Sequence, residues 1–249
     1  IHNAILGGIQ ILDGKDKDHT PEYLPEMLSE ALSVSFAQKV GHDYLLESKE
    51  RYDYYNRKEE RLELDLDFFN KITRGGIPSK TLNICLAGTG VGKTMFMTHL
   101  ASSVLLQGKN VLYITMEMAE ERIAERVDAN LLNVGMSDLE ELPYKMYETK
   151  INKLQKKTTG QLIVKEYPTG SAHSGHFRAL LNELKLKKKF MPDIIFIDYL
   201  NICASARIKA GGSVNSYTYI KSIAEELRGL AVEYNVPIMS ATQTTRTGF

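Results

Sequence analysis

One short segment constrains the fold of this chain more than any other: an apolar run leads directly into a glycine-rich turn and then into a helix. The apolar run covers residues 82–86, and apolar residues recur at helical spacing from Met95 onward. A strand, a glycine-rich loop and a helix N-terminus in this order form a cradle for a polyphosphate, because backbone N–H groups point inward and the helix dipole favours negative charge. The predicted cradle consists of Ala87, Gly88, Thr89, Gly90, Val91, Gly92, Lys93 and Thr94.

Two residues of this loop have predicted roles of their own. Lys93 can reach the β- and γ-phosphates of a bound polyphosphate, and the Thr94 hydroxyl can ligate Mg²⁺. The usual pattern has glycine where Ala87 stands, but an alanine adds only a methyl group, so we expect an intact loop. The alternative is a glycine-rich turn with a chance Gly-Lys-Thr, which the flanking strand and helix disfavour.

Composition indicates a folded protein with no strong net charge. The chain has 249 residues, with 31 basic and 31 acidic side chains and 43% hydrophobic residues, enough for one large α/β domain with an appendage. Because the charges cancel, contact with nucleic acid must come from local clusters or from an assembled ring.

Cysteine usage and hydropathy bear on the compartment. The two cysteines, Cys85 and Cys203, predict reduced thiols in a cytoplasmic protein. We expect no membrane contact, because no apolar run is long enough to cross a bilayer and no signal peptide is evident. The chain begins with Ile1 and stops at Phe249, just after a predicted strand, so we expect a fragment.

Strands and helices alternate from residue 80 onward, which predicts a mostly parallel sheet with helices on both faces. The predicted strands are 81–86, 110–115, 161–166, 193–198 and 236–240, and the predicted helices are 93–107, 119–133, 143–157, 173–189 and 216–234. In such folds ligands lie at the carboxyl ends of the strands. Functional side chains are therefore expected where the strands end.

Two acidic residues end predicted strands. Asp198 closes a run of four bulky apolar residues, and a carboxylate there can hold Mg²⁺ opposite Thr94. Glu117 follows the second strand, where it can polarise the water that attacks the γ-phosphate. The alternative for Asp198 is a turn residue or a helix cap. The alternative for Glu117 is an acid that favours the N-terminus of the next helix.

A polar residue and a basic loop complete the predicted site. The amide of Gln243, after the last predicted strand, can sense the γ-phosphate, although an exposed loop residue is an open alternative. The loop with Arg207 and Lys209 is basic and carries two glycines, which suits contact with a phosphate backbone. A mobile surface loop is an equally good interpretation of that stretch alone.

Residues 1–60 differ in pattern from the rest and form a predicted helical linker, whereas residues 61–249 form the predicted core. A short apolar stretch is followed by a charged linker at residues 13–19, and Thr20-Pro21 is a plausible helix start. Apolar residues then fall on one face of a predicted helix at 21–36. That face packs either against its own domain or against a neighbouring subunit. A second helical stretch is predicted from His42 to Arg57.

Several strings of residues together resemble the DnaB family of hexameric replicative DNA helicases. Within that family the similarity is greatest to the helicases of large tailed phages, which work with a phage primase, and the runs at 110–121 and 181–188 carry this closer match. The family strings are Phe69-Asn70-Lys71-Ile72-Thr73-Arg74-Gly75-Gly76-Ile77, Glu117-Met118 with Arg126 downstream, Ile197-Asp198-Tyr199-Leu200, and the segment around Gln243.

The resemblance implies a RecA-like P-loop NTPase core, ATP and Mg²⁺ as its ligands, and a homo-hexamer tethered by the helix at 21–36. It implies that Glu117 activates water, that Thr94 and Asp198 hold Mg²⁺ and that Gln243 senses the γ-phosphate. The loop with Arg207 and Lys209, and a second loop from Thr244 that includes Arg246, would grip single-stranded DNA. Primase and other replisome proteins would be partners. The family's primase-interacting N-terminal domain, its later strands and its arginine finger are expected to lie outside this chain.

Two other functions fit parts of the sequence. A RecA-type recombinase shares the core, the glutamate and the glutamine, but the predicted tethering helix at 21–36 disfavours it. A nucleotide-gated scaffold or loader would use ATP only to assemble, which the presence of Lys93, Glu117 and Asp198 disfavours.

Overall fold

The computed structural model describes residues 2–16, 21, 24, 42–56, 60–208 and 215–243. The chain divides into two units, Ile1–Lys58 and Glu59–Phe249. Most of the predicted helix at 21–36 lies outside the described residues, so its tethering role stays a prediction.

The first unit contains two described helices, α1 (His2–Leu12) and α2 (Ser48–Asn56). The predicted helix from His42 is therefore shorter than expected at its start. The reason is local: the Asp43 carboxylate accepts hydrogen bonds from the backbone N–H groups of Leu45 and Leu46, at 3.0 and 2.9 Å. These bonds hold a turn in place of a first helical turn.

The second unit is built on a five-stranded sheet in which every pairing is parallel. The order across the sheet is β3-β7-β6-β4-β5, and a two-stranded antiparallel pair, β1 with β2, lies outside it. The α/β fold with a mostly parallel sheet is thus confirmed. The strands are β1 (Arg61–Leu62), β2 (Ile77–Pro78), β3 (Leu82–Ala87), β4 (Val111–Thr115), β5 (Leu162–Glu166), β6 (Ile194–Asp198) and β7 (Ile238–Gln243).

The five long helices that follow β2 lie within a residue of their predicted bounds. Two shorter helices, α3 and α6, were not predicted. The helices of this unit are α3 (Asp67–Ile72), α4 (Lys93–Leu106), α5 (Glu120–Leu132), α6 (Met136–Leu139), α7 (Tyr144–Lys157), α8 (Ser174–Lys188) and α9 (Ser216–Tyr234), and a 3-10 turn covers Leu200–Ile202.

The core has two halves because alternate residues of a strand point to opposite faces of the sheet. Leu112 and Ile195 belong to the cluster that contains buried residues of α8 and α9. Val111, Tyr113 and Phe196 belong to the cluster that contains buried residues of α4 and α5. Both faces are therefore covered, which explains why β4 and β6 are buried along their whole length.

One strand differs from its prediction in a way that affects the site. β7 starts later than predicted and continues to Gln243, pairing with β3 along its whole length. Its last residues are polar, and the ladder to β3 keeps them in the sheet where a pattern based on apolar residues would end the strand. Gln243 is consequently the final strand residue and not the loop residue that we expected.

Two further properties of the described residues concern hydropathy and the cysteines. None of the helices within the described ranges combines the length and the hydropathy that a bilayer crossing requires. Both thiols are free, and burial raises the pKa of Cys85 to about 11 and that of Cys203 to about 12. Each thiol is therefore protonated and unreactive at neutral pH.

The core cluster that contains Leu100 should contribute strongly to the stability of the second unit. Leu100 on α4 is fully buried, so Leu100→Ala should lower the free energy of unfolding by about 2–5 kcal/mol through lost burial and a residual cavity. Leu186→Ala is the matched control, because Leu186 is 82% exposed, and it should change stability by less than about 0.5 kcal/mol. Urea unfolding of both variants measures the difference, and equal stabilities would contradict this account of the core.

Candidate nucleotide-binding site

The carboxyl ends of the five sheet strands meet at one edge, because all pairings are parallel. The phosphate loop leaves this edge from β3, and Glu117 follows β4 there. Asp198 is the last residue of β6 and Gln243 the last residue of β7. The predicted site residues that the structure describes are thus on the same edge of the sheet, except for Arg207, which lies further along the chain from β6.

The phosphate loop has the backbone that its glycines predict. Gly90 and Gly92 have positive φ angles of 73° and 100°, a backbone conformation that residues with a side chain rarely adopt. An added Cβ would meet no atom within 4 Å at either position, so backbone conformation and not space requires glycine. Ala87 ends β3 in an extended strand, where its methyl group is tolerated. The departure from the usual glycine therefore leaves the loop intact.

Lys93, the first residue of α4, lies along this loop. Its Nζ donates a hydrogen bond to the Gly88 carbonyl at 3.0 Å and lies 5.6 Å from the centroid of the Tyr199 ring. The ammonium group is thus held between the loop and the residue that follows Asp198. This position lets it serve a phosphate bound in the loop.

Asp198 has a fully buried carboxylate. The Tyr113 hydroxyl donates to Oδ2 at 2.9 Å. Burial raises the pKa of Asp198, and Thr94, Tyr113 and the cationic side chains of Lys93 and Arg126 act in the opposite direction. Oδ1 is also buried, and within the described residues it accepts no hydrogen bond.

An orphaned carboxylate oxygen in a buried position is the donor that a hard cation needs. The Thr94 hydroxyl lies close enough to lower the pKa of the same carboxylate. Oxygen ligands from these two residues fit Mg²⁺, which takes one or two protein oxygens and completes its shell with phosphate and water. The donor set therefore fits the ion that the sequence predicts.

Glu117 occupies an exposed position on the turn between β4 and α5. Two hydrogen bonds between Thr115 and Met118 stabilise this turn: the Thr115 hydroxyl donates to the Met118 carbonyl at 2.8 Å and accepts from the Met118 N–H at 3.1 Å. Burial is the main cause of the raised pKa of Tyr199, and the negative charge of Glu117 is the next. Glu117 consequently lies near the residue that follows Asp198, on the open side of the site.

Gln243 contacts the phosphate loop directly. It pairs with Ala87 in the β3–β7 register, and its Nε2 donates to the Thr89 hydroxyl at 2.5 Å. The Asn201 side chain, from the turn after β6, accepts a hydrogen bond from the Thr242 hydroxyl at 2.7 Å. The end of β7 is thus tied to the loops that follow β3 and β6.

The predicted nucleic-acid residues are only partly described. Arg207 is exposed and forms an ion pair with Glu225 on α9 at 3.4 Å. Lys209 and Arg246 lie outside the described residues. Their contact with DNA therefore stays a prediction.

Three residues that contact or support the site were not predicted from the sequence. Tyr113 lies within the second predicted strand and had no predicted role, although a tyrosine within a buried strand signals a hydroxyl that needs a partner. Asn201 gave no recognisable signal. Arg126 was part of the family resemblance without a role, and its charge acts on both Asp198 and Tyr113.

Comparison with known proteins identifies the family. The family described as DnaB-like helicase C terminal domain matches residues 62–248. A DnaB-like replicative helicase of Enterobacteria phage T4 is 48% identical over 223 residues, covering 88% of this chain and 47% of that relative. The chain thus spans about half the length of that curated relative.

Two solved structures share the fold at 16% identity. One is described as the structure of a DnaB-like replicative helicase and its interactions with primase; it has a TM-score of 0.65 and covers 99% of this chain and 57% of that one. The other is described as an ATPase domain, with a TM-score of 0.61 and coverage of 80% of this chain and 70% of that one. With the family match across most of the second unit, these findings confirm the resemblance seen in the sequence: the chain belongs to the DnaB-like helicase family and contains its C-terminal domain.

Proposed function

We propose that this chain is the motor portion of an ATP-dependent replicative DNA helicase, which translocates on single-stranded DNA and unwinds the duplex at the replication fork. The observation that carries the proposal is the meeting of the phosphate loop, the buried Asp198 and the exposed Glu117 at one edge of the sheet. Family membership supplies the reaction class to which this geometry belongs.

The phosphate loop binds the triphosphate of ATP. Its backbone N–H groups and the N-terminus of α4 face the β- and γ-phosphates, and Lys93 neutralises part of their charge. Thr94 and Asp198 would hold Mg²⁺, which, when bound, offsets the charge that develops on the transferred phosphate. The unpaired Oδ1 of Asp198 supports this assignment.

Glu117 orients and polarises the water that attacks the γ-phosphate. Two carboxylates in different environments suit two roles: Asp198 is buried and Glu117 is exposed, so the buried one binds the ion and the exposed one reaches water. Gln243 senses the γ-phosphate, and its hydrogen bond to Thr89 supports a link between the occupied loop and β7.

The working form would be a homo-hexamer around one DNA strand. Residues 1–60 would tether neighbouring subunits, and the loops with Arg207, Lys209 and Arg246 would line the channel. Primase and other replisome proteins would be partners; the fold neighbour described with primase supports that expectation. We place the activity in the cytoplasm, that of the host cell if the protein is phage-encoded. Hydrolysis would need an arginine finger from a neighbouring subunit, so this chain alone would bind nucleotide but hydrolyse it weakly.

ATP hydrolysis by the full-length protein, measured with and without single-stranded DNA alongside the assembly state, tests the proposal. A ring whose hydrolysis is stimulated by DNA is expected. Filaments that exchange strands would indicate a recombinase. Nucleotide-dependent assembly without stimulated hydrolysis would indicate a scaffold or loader.

Removing the loop lysine should abolish tight ATP binding. Lys93→Ala deletes charge-assisted hydrogen bonds to the phosphates, so affinity for a fluorescent ATP analogue should fall at least about tenfold. Lys109→Ala removes an exposed lysine from the segment before β4, at the opposite end of that strand from Glu117, and should bind normally. Unchanged affinity in Lys93→Ala would show that the nucleotide binds elsewhere.

Neutralising Glu117 should separate binding from turnover. In the full-length protein, Glu117→Gln should bind ATP normally, while kcat falls about 10²- to 10⁴-fold because the general base is lost. Glu121→Gln, an exposed position in the first turn of α5, is the control and should retain its kcat. Steady-state hydrolysis and nucleotide titration give both quantities, and near-normal turnover in Glu117→Gln would remove it as the base.

The basic loop should contribute to DNA affinity through charge. Arg207→Ala combined with Lys209→Ala should weaken binding of single-stranded DNA and reduce the slope of log affinity against log salt by about 0.7 for each lost phosphate contact. Lys187→Ala with Lys188→Ala, two exposed lysines of α8, removes equal charge from another surface. If both double variants show the wild-type slope, the DNA contacts a different surface.

A further inference from the structure

The segment of residues 167–174, which we call the bridging segment, lies between the Glu117 turn and the root of the basic loop. It follows β5, the strand at the sheet edge farthest from β3, and ends at the first residue of α8. Nothing in its sequence marks it as functional. Its hydrogen bonds indicate a function, because they connect it to both the Glu117 turn and the start of the basic loop.

At its start, the bridging segment is bonded to the strand and turn that carry Glu117. The Tyr167 N–H donates to the Thr115 carbonyl at 2.9 Å. The Thr169 hydroxyl donates to the Met116 carbonyl at 2.5 Å. Met116 immediately precedes Glu117, so the Thr169 hydroxyl fixes the peptide from which Glu117 projects.

In its middle, the same segment is bonded to the chain after β6, where the basic loop begins. The Gly170 N–H donates to the Ile202 carbonyl at 2.9 Å, and the Ala204 N–H donates to the Ala172 carbonyl at 2.8 Å. Each of the two backbone segments donates one of these hydrogen bonds and accepts the other. A displacement of residues 202–204 therefore moves residues 170–172 with it.

At its end, the segment contacts the carboxylate of Glu226 on α9. This residue is buried, with 7% of its surface exposed. The Ser174 hydroxyl donates to Oε2 at 2.8 Å, and the Ser205 hydroxyl donates to Oε1 at 2.6 Å. The Ala206 N–H donates to both carboxylate oxygens at 3.0 Å. Burial acts to raise the pKa of Glu226, but these hydrogen bonds outweigh burial and lower the pKa. The buried group is thus an ionised acceptor for both loops.

The Ser205 hydroxyl extends this connection into the basic loop. It accepts hydrogen bonds from the backbone N–H groups of Arg207 and Ile208, both at 3.1 Å. A continuous series of bonds consequently joins the Arg207 backbone to the peptide before Glu117.

We propose that the bridging segment couples DNA binding at the basic loop to the placement of Glu117, with Thr169 and Glu226 as its positioning residues. The inference rests on the proposed function, since it needs Glu117 to act on water and the Arg207 loop to contact DNA. When a DNA phosphate backbone binds the loop, the start of the loop at residues 202–206 shifts. The hydrogen bonds of the bridging segment transmit that shift to the Met116–Glu117 peptide. DNA-stimulated hydrolysis is the expected result.

The first test uses Thr169→Val in the full-length protein, because valine keeps the shape and removes the hydroxyl. The ratio of kcat with saturating single-stranded DNA to kcat without DNA should fall at least about fivefold, the lower range of usual coupling. ATP KM should stay near wild type, and Thr169→Ser, which restores the hydroxyl, should recover most of the ratio. Thr149→Val is the control: that exposed threonine makes the same kind of bond, to the Lys145 carbonyl, on α7.

The second test uses Glu226→Gln, which should weaken single-stranded DNA binding and also lower the stimulation ratio at saturating DNA. Glu233 is on the same helix, α9, and forms an exposed ion pair with Arg178 of α8. Glu233→Gln should change neither quantity. Combining Glu226→Gln with Thr169→Val should lower the ratio no further than the more severe single variant, because both break one connection.

The outcomes distinguish a failure of the proposed coupling from a failure of the proposed helicase function. A wild-type protein whose hydrolysis does not respond to DNA refutes the proposed function itself. A stimulated wild type with an unchanged ratio in Thr169→Val refutes the coupling alone, and so does an equal fall of both rates, as a purely structural role would give. If Thr169→Val does not fold, Glu226→Gln decides: a normal ratio at saturating DNA overturns the coupling.

Discussion

A carboxylate at the buried end of β6 is the constraint on which the site depends. Removing an ionised carboxylate from water costs several kcal/mol unless partners replace the water. The Tyr113 hydroxyl donates to Asp198, and the Thr94 hydroxyl and two nearby cations, Lys93 and Arg126, also favour its charged form. These leave Oδ1 unsatisfied within the described residues. In the proposed function, a bound cation would be the partner that offsets this cost.

The parallel sheet turns this local constraint into a site. Neighbouring strands lie about 4.8 Å apart, so the ends of β3, β7, β6 and β4 span roughly 14 Å along one edge, the scale of a triphosphate with its ion and attacking water. The order β3-β7-β6-β4 places Gln243 between the phosphate loop and Asp198. The same order places Asp198 between Gln243 and the Glu117 turn. The topology thus fixes which side chains lie together along the candidate site.

Local chemistry made part of the site predictable from the sequence. Glycines specify the loop, and Asp198 follows an apolar run that only a buried strand explains. Features that depend on contacts between residues far apart in the sequence could not be predicted in this way. The partner of Asp198, Tyr113, is 85 residues away, and the Thr169 hydroxyl bonds a carbonyl 53 residues away. The end of β7 was also misplaced, because pairing with β3 overrides the polarity of its last residues.

In the proposed function, the contrast between the two halves of the edge predicts that nucleotide binding and hydrolysis respond to different parts of the chain. Asp198 is held within the sheet, where β4 and β7 pair on either side of β6, so its position follows the sheet. Glu117 is on a turn that depends on hydrogen bonds to Thr115 and Thr169. Turns with few packed neighbours shift at lower free-energy cost than central strands. If the proposed roles hold, nucleotide affinity should be set by the sheet edge, whereas the placement of the attacking water should depend on a turn that its hydrogen-bonded neighbours can move.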